Sequence, residues 1–217
     1  ARIAEADLLL LLGARFSENP SQNFTLLGAP DPGKALIHVH PGAEELGRIY
    51  APALPLCATP GAFLEALSTA SSPPARGRAA AAHADYLAWS EPPAAEGAGV
   101  DLGAVVAHLR DVAAEAIVTN GAGNYAIWLH RFWRHRHAEA QLAPTSGSMG
   151  YGLPAAVAAK LRRPGREVIC FAGDGCLQMT LQELGTAAEQ GVAIRVIVAD
   201  NGSYGTIRMH QERAYPG

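Results

Sequence analysis

A doubly wound α/β fold is what this sequence predicts, on three observations. Its apolar runs, such as the one at 8–12 and the one ending at Gly173, are short and unbroken, as in parallel strands buried on both faces. Helical phrases of alanine and other aliphatic residues alternate with them. Glycine-rich turns close several of the runs.

The composition is that of a soluble globular protein. With 217 residues, 49% hydrophobic and 17% charged, the chain can bury a substantial core as one large domain or two small ones. The 17 basic and 20 acidic side chains leave a net charge of −3, and no basic stripe interleaved with aromatics suggests a nucleic-acid surface. RHRH at 134–137 is the one local basic cluster and is expected to be a solvated helix face. Three cysteines, Cys57, Cys170 and Cys176, are odd in number and lack C-x-x-C spacing, which implies neither a disulfide framework nor a zinc site. A reducing cytoplasm is the default compartment.

Taken in order, ARIAEADLLLLLGARF has no initiator Met and opens on a short helical phrase that runs straight into a strand. The run 8–12 is too short to span a bilayer, and no basic n-region or cleavage site accompanies it, so membrane and secretory readings fail. The chain is expected to begin inside a domain. HQERAYPG carries no closing helix or strand signal, so a piece of a longer polypeptide is expected. ADLLLLLG and KALIHVH read as buried parallel strands bounded by Gly, Pro and Asp, with a helix-like phrase after the second, giving an α/β segment over 1–70. SSPPARGRAAAAHADYLAWSEPPAAEGAG breaks both periodicities and reads as a linker over 71–98 with one helix at its centre. A second unit is expected over 99–217.

That unit opens with LGAVVAHLRDVA, whose Leu102, Val105, Val106, Leu109 and Val112 recur at helical spacing. EAIVTNGAGN then gives a strand and a glycine-rich turn, GYGLPAAVAAKLRR a helix, EVICFAGDG a fully buried strand, LQMTLQELGTAAEQ a helix and AIRVIVADNGSYG another buried strand. The order predicts a parallel sheet with ligands at the carboxyl ends of its strands, where three glycine-rich turns converge.

Asp174 and Asn201 each follow a buried strand and stand 27 positions apart, one strand-helix-strand step, so they should lie side by side at that edge. Both offer hard oxygen ligands. Gly173 and Gly175 let the backbone approach an anion, and a helix beginning near Leu177 would aim its free N–H groups at the same place. A carboxylate, an amide oxygen and a backbone carbonyl leave an octahedral Mg²⁺ with positions for two phosphate oxygens and a water.

At these residues the sequence resembles the thiamine diphosphate (ThDP) enzymes of the acetolactate synthase, 2-keto acid decarboxylase and benzaldehyde lyase group. Their motif, GDG followed after one helix and one strand by an Asn pair, stands here as Gly173-Asp174-Gly175 and Asp200-Asn201. The resemblance implies that Asp174, the Asn201 side chain and the Ser203 carbonyl ligate Mg²⁺. Asp200 replaces the first Asn at a position that does not ligate. SGSMGYGLPAAVAAK is similar to the family's GTMG-[FY]-GLPAA-x-GAK, which places Met149 beneath the cofactor to force its two rings into a V and offers the Gly147 carbonyl to the aminopyrimidine. These two, Met149 and Gly147, are the catalytic candidates.

TNGAGNYAIW matches the turn that reads G-x-GQHQ-x-W in acetolactate synthases, with Gly121, Gly123 and Trp128 kept and Asn124, Tyr125 and Ala126 replacing Gln-His-Gln. Those three positions are expected to face the diphosphate and the reaction centre, so their change bears on the acetolactate reaction itself. The expected cofactor-binding set is Gly121, Gly123, Asn124, Tyr125, Gly147, Ser148, Met149, Gly173, Asp174, Gly175, Cys176, Asn201, Ser203, Tyr204 and Gly205. ADLLLLLGARFSE and IHVHPGAEELG resemble the second half of the family's Rossmann-like central domain. HVHP stands where DIDP is usual, so FAD is not inferred. The resemblance thus implies a partial central domain followed by most of a diphosphate-binding domain, shortened at its C-terminal end.

The implied activity is decarboxylation of a 2-keto acid or carboligation through a C2 carbanion and enamine, the chemistry being the cofactor's. In the family the Glu that pairs with the aminopyrimidine belongs to a separate domain of the partner subunit, so a homodimer or homotetramer with the site at its interface is implied. No such domain stands in these residues, and the chain alone is expected to be inactive. Glu183 and Glu189 are expected to be surface carboxylates. A rival reading takes GAGNYA as the G-x-G-x-x-A dinucleotide fingerprint of an NAD-dependent oxidoreductase, but HAEAQLAPTSGS puts no strand-ending acid about 20 residues on. A non-catalytic cofactor-binding fragment is the third reading. Tyr204, Met209 and His210 are candidates to face a donor pocket, while His38, His40, His83, His108, His130, His135 and His137 show no ligand spacing.

Overall fold

The strands fall into two separate sheets, both entirely parallel, in a computed structural model that describes residues 2–69, 76–95 and 99–216. The chain divides into two units, Ala1–Ala75 and Arg76–Gly217.

In the first unit α1 (Arg2–Glu5) leads into β1 (Leu8–Leu12), followed by β2 (Ala35–His40) and β3 (Leu54–Cys57), in the sheet order β1-β2-β3. The central strand buries Leu36, His38 and Val39, and a core of Phe16, Leu27, Leu36 and Tyr50 covers one face with Leu9 and Leu11 packed against it. The histidines of HVHP are used locally. His38 Nε2 lies 3.0 Å from the Ala14 carbonyl, and His40 Nδ1 accepts the Gly42 N–H at 3.0 Å. A 3-10 turn (Ala43–Glu45) and α2 (Pro60–Ser68) follow β2 and β3, with Thr59 capping α2 through the Ala62 N–H.

The second unit begins with α3 (Arg76–Trp89), the helix within the stretch expected to link. Residues 70–75 and 96–98 of that stretch lie outside the described residues, as does Gly217. Then come α4 (Leu102–Val112), β4 (Ile117–Asn120), α5 (Ala126–Phe132), β5 (Gln141–Leu142), α6 (Gly152–Arg162), β6 (Val168–Gly173), α7 (Asp174–Gln178), α8 (Glu183–Glu189), β7 (Arg195–Ala199) and α9 (Gly205–Ala214). The sheet order is β5-β4-β6-β7. β6 is buried along its whole length, and its alternation feeds two cores. Ile169 and Phe171 join Val106, Val118, Leu129 and Trp133 under α4 and α5, while Val168, Cys170 and Ala172 join Leu153, Ala156 and Ala159 of α6. This is the doubly wound arrangement the apolar runs predict.

Several local expectations are corrected. β1 and β7, both read as buried strands, stand at the edges of their sheets and bury no residue. The helix expected over LQMTLQELGTAAEQ starts at Asp174 rather than near Leu177, and it breaks into α7 and α8 across turns at 179–182. There the Thr180 hydroxyl donates to the Gly150 carbonyl at 2.8 Å, a tertiary contact that competes with continuing the helix. RHRH is not a helix face: α5 ends at Phe132, and Arg134 turns back to donate to Ser90 Oγ, the Leu87 carbonyl and Glu91. The segment ending in HQERA, expected to lack a closing element, is α9.

Arginines tie α3 to this unit. Arg110, nearly buried, donates to the Ser90 and Phe132 carbonyls at 3.2 Å and to Glu91, whose carboxyl the two arginines Arg110 and Arg134 hold below its ordinary range. Arg131 bonds the Trp89 carbonyl and lies over the Trp89 ring. Arg110→Met removes the donors of two buried carbonyls, and a loss of about 1–3 kcal/mol in urea unfolding is expected. An unchanged midpoint would show that α3 docks without them.

Candidate functional site

The C-terminal edge of the second sheet gathers four loops. β6 and β7 are neighbours with Gly173 opposite Ala199, so Asp174 and Asp200 each leave the sheet one residue past a paired position, and Asn201 follows. Adjacent strands run about 4.8 Å apart, which brings the two exits to the same place. The Gly121 turn leaves β4, the other neighbour of β6. The turn at 145–151 precedes α6 and is tied to the Gly121 turn, because the Ala122 N–H donates to the Ser148 carbonyl at 3.1 Å. The Asn124 N–H donates to Thr206 Oγ1 at 3.1 Å, which joins the β4 turn to the start of α9.

Side chains fix these loops from beneath. Buried Asn120 accepts from Gln141 Nε2 at 2.8 Å and donates to the Gly121 carbonyl at 2.9 Å, anchoring the turn to β5. Tyr125 turns inward. Its hydroxyl accepts the Gly121 N–H at 3.0 Å and donates to Cys176 Sγ at 3.3 Å, and burial pushes its phenol above the ordinary range. Cys176 Sγ also accepts the Gly150 N–H at 3.1 Å. Burial pushes the Cys170 thiol, on β6, up to about 11. Of the three positions replacing Gln-His-Gln, then, only Asn124 is exposed; Ala126 is buried and the Tyr125 hydroxyl is engaged with protein groups.

The donor set suits a hard cation. Asp174 is half-buried, and its side chain makes no hydrogen bond or ion pair among the described residues. Asn201 Oδ1 accepts the Ser203 N–H at 3.1 Å, and the Ser203 carbonyl accepts the Gly205 N–H at 2.8 Å, which leaves each oxygen a second lone pair. One carboxylate, one amide and one carbonyl fit Mg²⁺, which keeps the rest of its shell for phosphate and water. Asp200 Oδ1 is taken by the Gly202 N–H at 2.8 Å, a turn for which Gly202 supplies a φ of 62°. The glycines are tight: a Cβ on Gly175 would stand 2.5 Å from the Tyr204 ring, and Gly147 holds a φ of 70°.

Comparison with known families matches residues 121–217 to the C-terminal TPP binding domain of thiamine pyrophosphate enzymes, and residues 1–67 to the central domain of the same enzymes. The chain belongs to the thiamine pyrophosphate enzyme family. The dinucleotide reading of GAGNYA gives way to this one, because that turn opens the matched TPP binding domain. The chain is 30% identical over 98% of its length to an acetolactate synthase large subunit of Parasynechococcus marenigrum and 31% identical over 98% to the isozyme 1 large subunit of Escherichia coli. It covers 35% and 38% of those proteins, so it spans just over a third of the curated relatives it matches. A Lactococcus lactis acetolactate synthase large subunit is 38% identical over 46% of the chain and 18% of that protein.

Within this family member, Met149 is half-buried in the turn before α6, between Ser148 and Gly150, whose φ is 80°. Ser146 and Ser148 share a hydrogen bond of 2.6 Å. Tyr204 is 51% exposed, and Met209 Sδ lies 3.9 Å from Asn124 Nδ2, which places both at the rim. His210 is exposed on α9, and Glu183 and Glu189 both lie on α8. Among the described residues no group of three His, Cys, Asp or Glu side chains could hold a metal, and no helix is long and apolar enough to cross a membrane. The Tyr125–Cys176 contact and the Thr206 hydroxyl were not found from sequence; both join residues more than 50 positions apart.

Proposed function

We propose that this chain supplies the diphosphate, metal and ring-supporting part of the site of a ThDP- and Mg²⁺-dependent enzyme acting on 2-keto acids. One observation carries the reading: Asp174, a carboxylate with no side-chain partner among the described residues, lies at the end of a buried inner strand of a TPP binding domain, beside the Asn201 loop of the neighbouring strand. Bound there, ThDP supplies a nucleophilic carbon and an electron sink for cleaving the bond next to the keto group. Asp174, Asn201 and the Ser203 carbonyl would hold Mg²⁺, and the metal in turn would fix the diphosphate. Gly121, Gly123 and Gly173 leave the room that Tyr125 and Cys176 fill behind the rim, and Gly175 leaves room for the Tyr204 ring. Met149 would support the ring junction, and the Gly147 carbonyl would accept from the aminopyrimidine.

Among the described residues no further carboxylate joins Asp174 and Asp200 in these loops, so the group for proton transfer at the far ring is proposed to come from a partner copy, with the complete site between subunits of a homo-oligomer. Alone, these residues would bind without turning over. The named relatives favour carboligation, whereas the loss of Gln-His-Gln at 124–126 favours a neighbouring decarboxylase or lyase reaction. Three free thiols suit a reducing cytoplasm.

Titration calorimetry tests this. ThDP should bind only with Mg²⁺ present, and NAD should give no heat. In the full-chain enzyme Met149→Ala should keep ThDP affinity within about threefold while lowering turnover roughly tenfold or more, since it alters geometry and not attachment. ThDP binding indifferent to Mg²⁺, or binding of NAD, would overturn the reading.

A further inference from the structure

Three turns at the rim owe their shape to glycines, and glycine does not hold a conformation by itself. The structure shows what does. A Cβ on Gly121 would collide with Cys176 Sγ, and a Cβ on Gly123 or Gly173 would stand 2.8 Å from the Tyr125 ring. The missing side chains at 121, 123 and 173 thus make the recess in which Tyr125 and Cys176 lie. The ring also packs on Phe171, with centroids 5.9 Å apart. From that recess the phenol takes the Gly121 N–H, the thiol takes the Gly150 N–H, and phenol and thiol bond each other.

We propose that Tyr125 and Cys176 form a latch that fixes the Gly121 and Gly150 turns against the helix carrying Asp174, so that both act on cofactor binding as positioning residues rather than as ligands. The inference rests on the ThDP reading above for its functional consequence, but not for its geometry. Both acceptors serve backbone amides that would otherwise sit in a crowded recess without a partner. Cys176 Sγ is 3% exposed with its residue, and Gly121 is buried, so water is a poor substitute for either bond. Burial keeps the Tyr125 phenol protonated, hence able to donate to sulfur. Tyr125 and Cys176 follow different strands, β4 and β6, and the latch couples the exits of the two.

The test uses the full-chain protein with Tyr125→Phe, which keeps the ring in its recess and removes only the hydroxyl, Cys176→Ala, which removes the thiol, and Cys176→Ser, which restores an acceptor. Amide hydrogen exchange without cofactor is read first: Tyr125→Phe should speed exchange at Gly121, and Cys176→Ala at Gly150, each about tenfold or more, with Cys176→Ser close to wild type. ThDP affinity with Mg²⁺ is read second. It should weaken roughly tenfold in Tyr125→Phe and Cys176→Ala, the double variant should be little worse than either, and Cys176→Ser should recover most of the loss. Unchanged exchange at both glycines would overturn the latch. So would additive losses of affinity, or a Cys176→Ser variant as weak as Cys176→Ala. Failure of the wild type to bind ThDP would count against the function proposed above, while the exchange rates would still decide the latch.

Discussion

Asp174→Ala is expected to abolish Mg²⁺-supported ThDP binding while leaving the fold almost untouched. The carboxylate is half-buried and has no partner among the described residues, so its removal strands no donor among them. A change in folding free energy within about 1 kcal/mol follows. Binding is another matter, because Asp174 is the one charged member of the proposed donor set. Truncating one side of a desolvated charge pair costs about 2–5 kcal/mol, roughly 30-fold to several-thousand-fold in affinity. Asn201→Ala removes a neutral ligand and should cost less, on the order of tenfold. Calorimetric titrations and melting curves on the same variants separate the two quantities. Equal and small losses of affinity in both variants, or a large drop in melting temperature for Asp174→Ala, would show that the carboxylate serves the fold instead.

Much of this was readable because the relevant signals are local. The alternation Val168, Cys170, Ala172 against Ile169, Phe171 is apolar on both sides, and only a strand covered on both faces tolerates that. Gly-Asp-Gly follows that strand directly and Asp-Asn-Gly follows its partly exposed neighbour β7, so their meeting at one edge needs only parallel pairing. What stayed hidden depended on distant partners. The helix break at 179–182 comes with Thr180 docking on Gly150, 30 positions away, and nothing in LQMTLQELG announces it. α9 buries no residue, so it offers no apolar period to detect. RHRH looked like a solvated face because charge runs usually are, yet Arg134 is bonded to Ser90 and Glu91, 44 and 43 positions earlier. The inward turn of Tyr125 was invisible for the same reason: a tyrosine in a glycine-rich turn looks available to a ligand until Cys176 is seen beside it.

Phe171→Ala is expected to be the most damaging single change to stability in the second unit. The ring is fully buried on the central strand, with Asn120 of β4 opposite it on one side and Ile197 of β7 on the other. It packs with Val106, Val118, Leu129 and Trp133, the core that joins α4 and α5 to the sheet. Truncating such a phenylalanine costs about 3–5 kcal/mol in lost transfer energy and an unfilled cavity. Against a usual domain stability of about 5–15 kcal/mol that is a large fraction, and the melting point should fall by roughly 10–20 °C. Val198, on the neighbouring strand but 43% exposed, serves as control: Val198→Ala should cost less than about 1 kcal/mol. The readout can be confined to this unit, because all three tryptophans, Trp89, Trp128 and Trp133, lie in it. Tryptophan fluorescence during urea unfolding therefore follows the second unit without interference from the first. The same cavity removes the surface on which the Tyr125 ring rests, so cofactor affinity should weaken even under conditions where the variant is still folded. A Phe171→Ala midpoint no lower than that of Val198→Ala would mean that β6 is not the centre of this core.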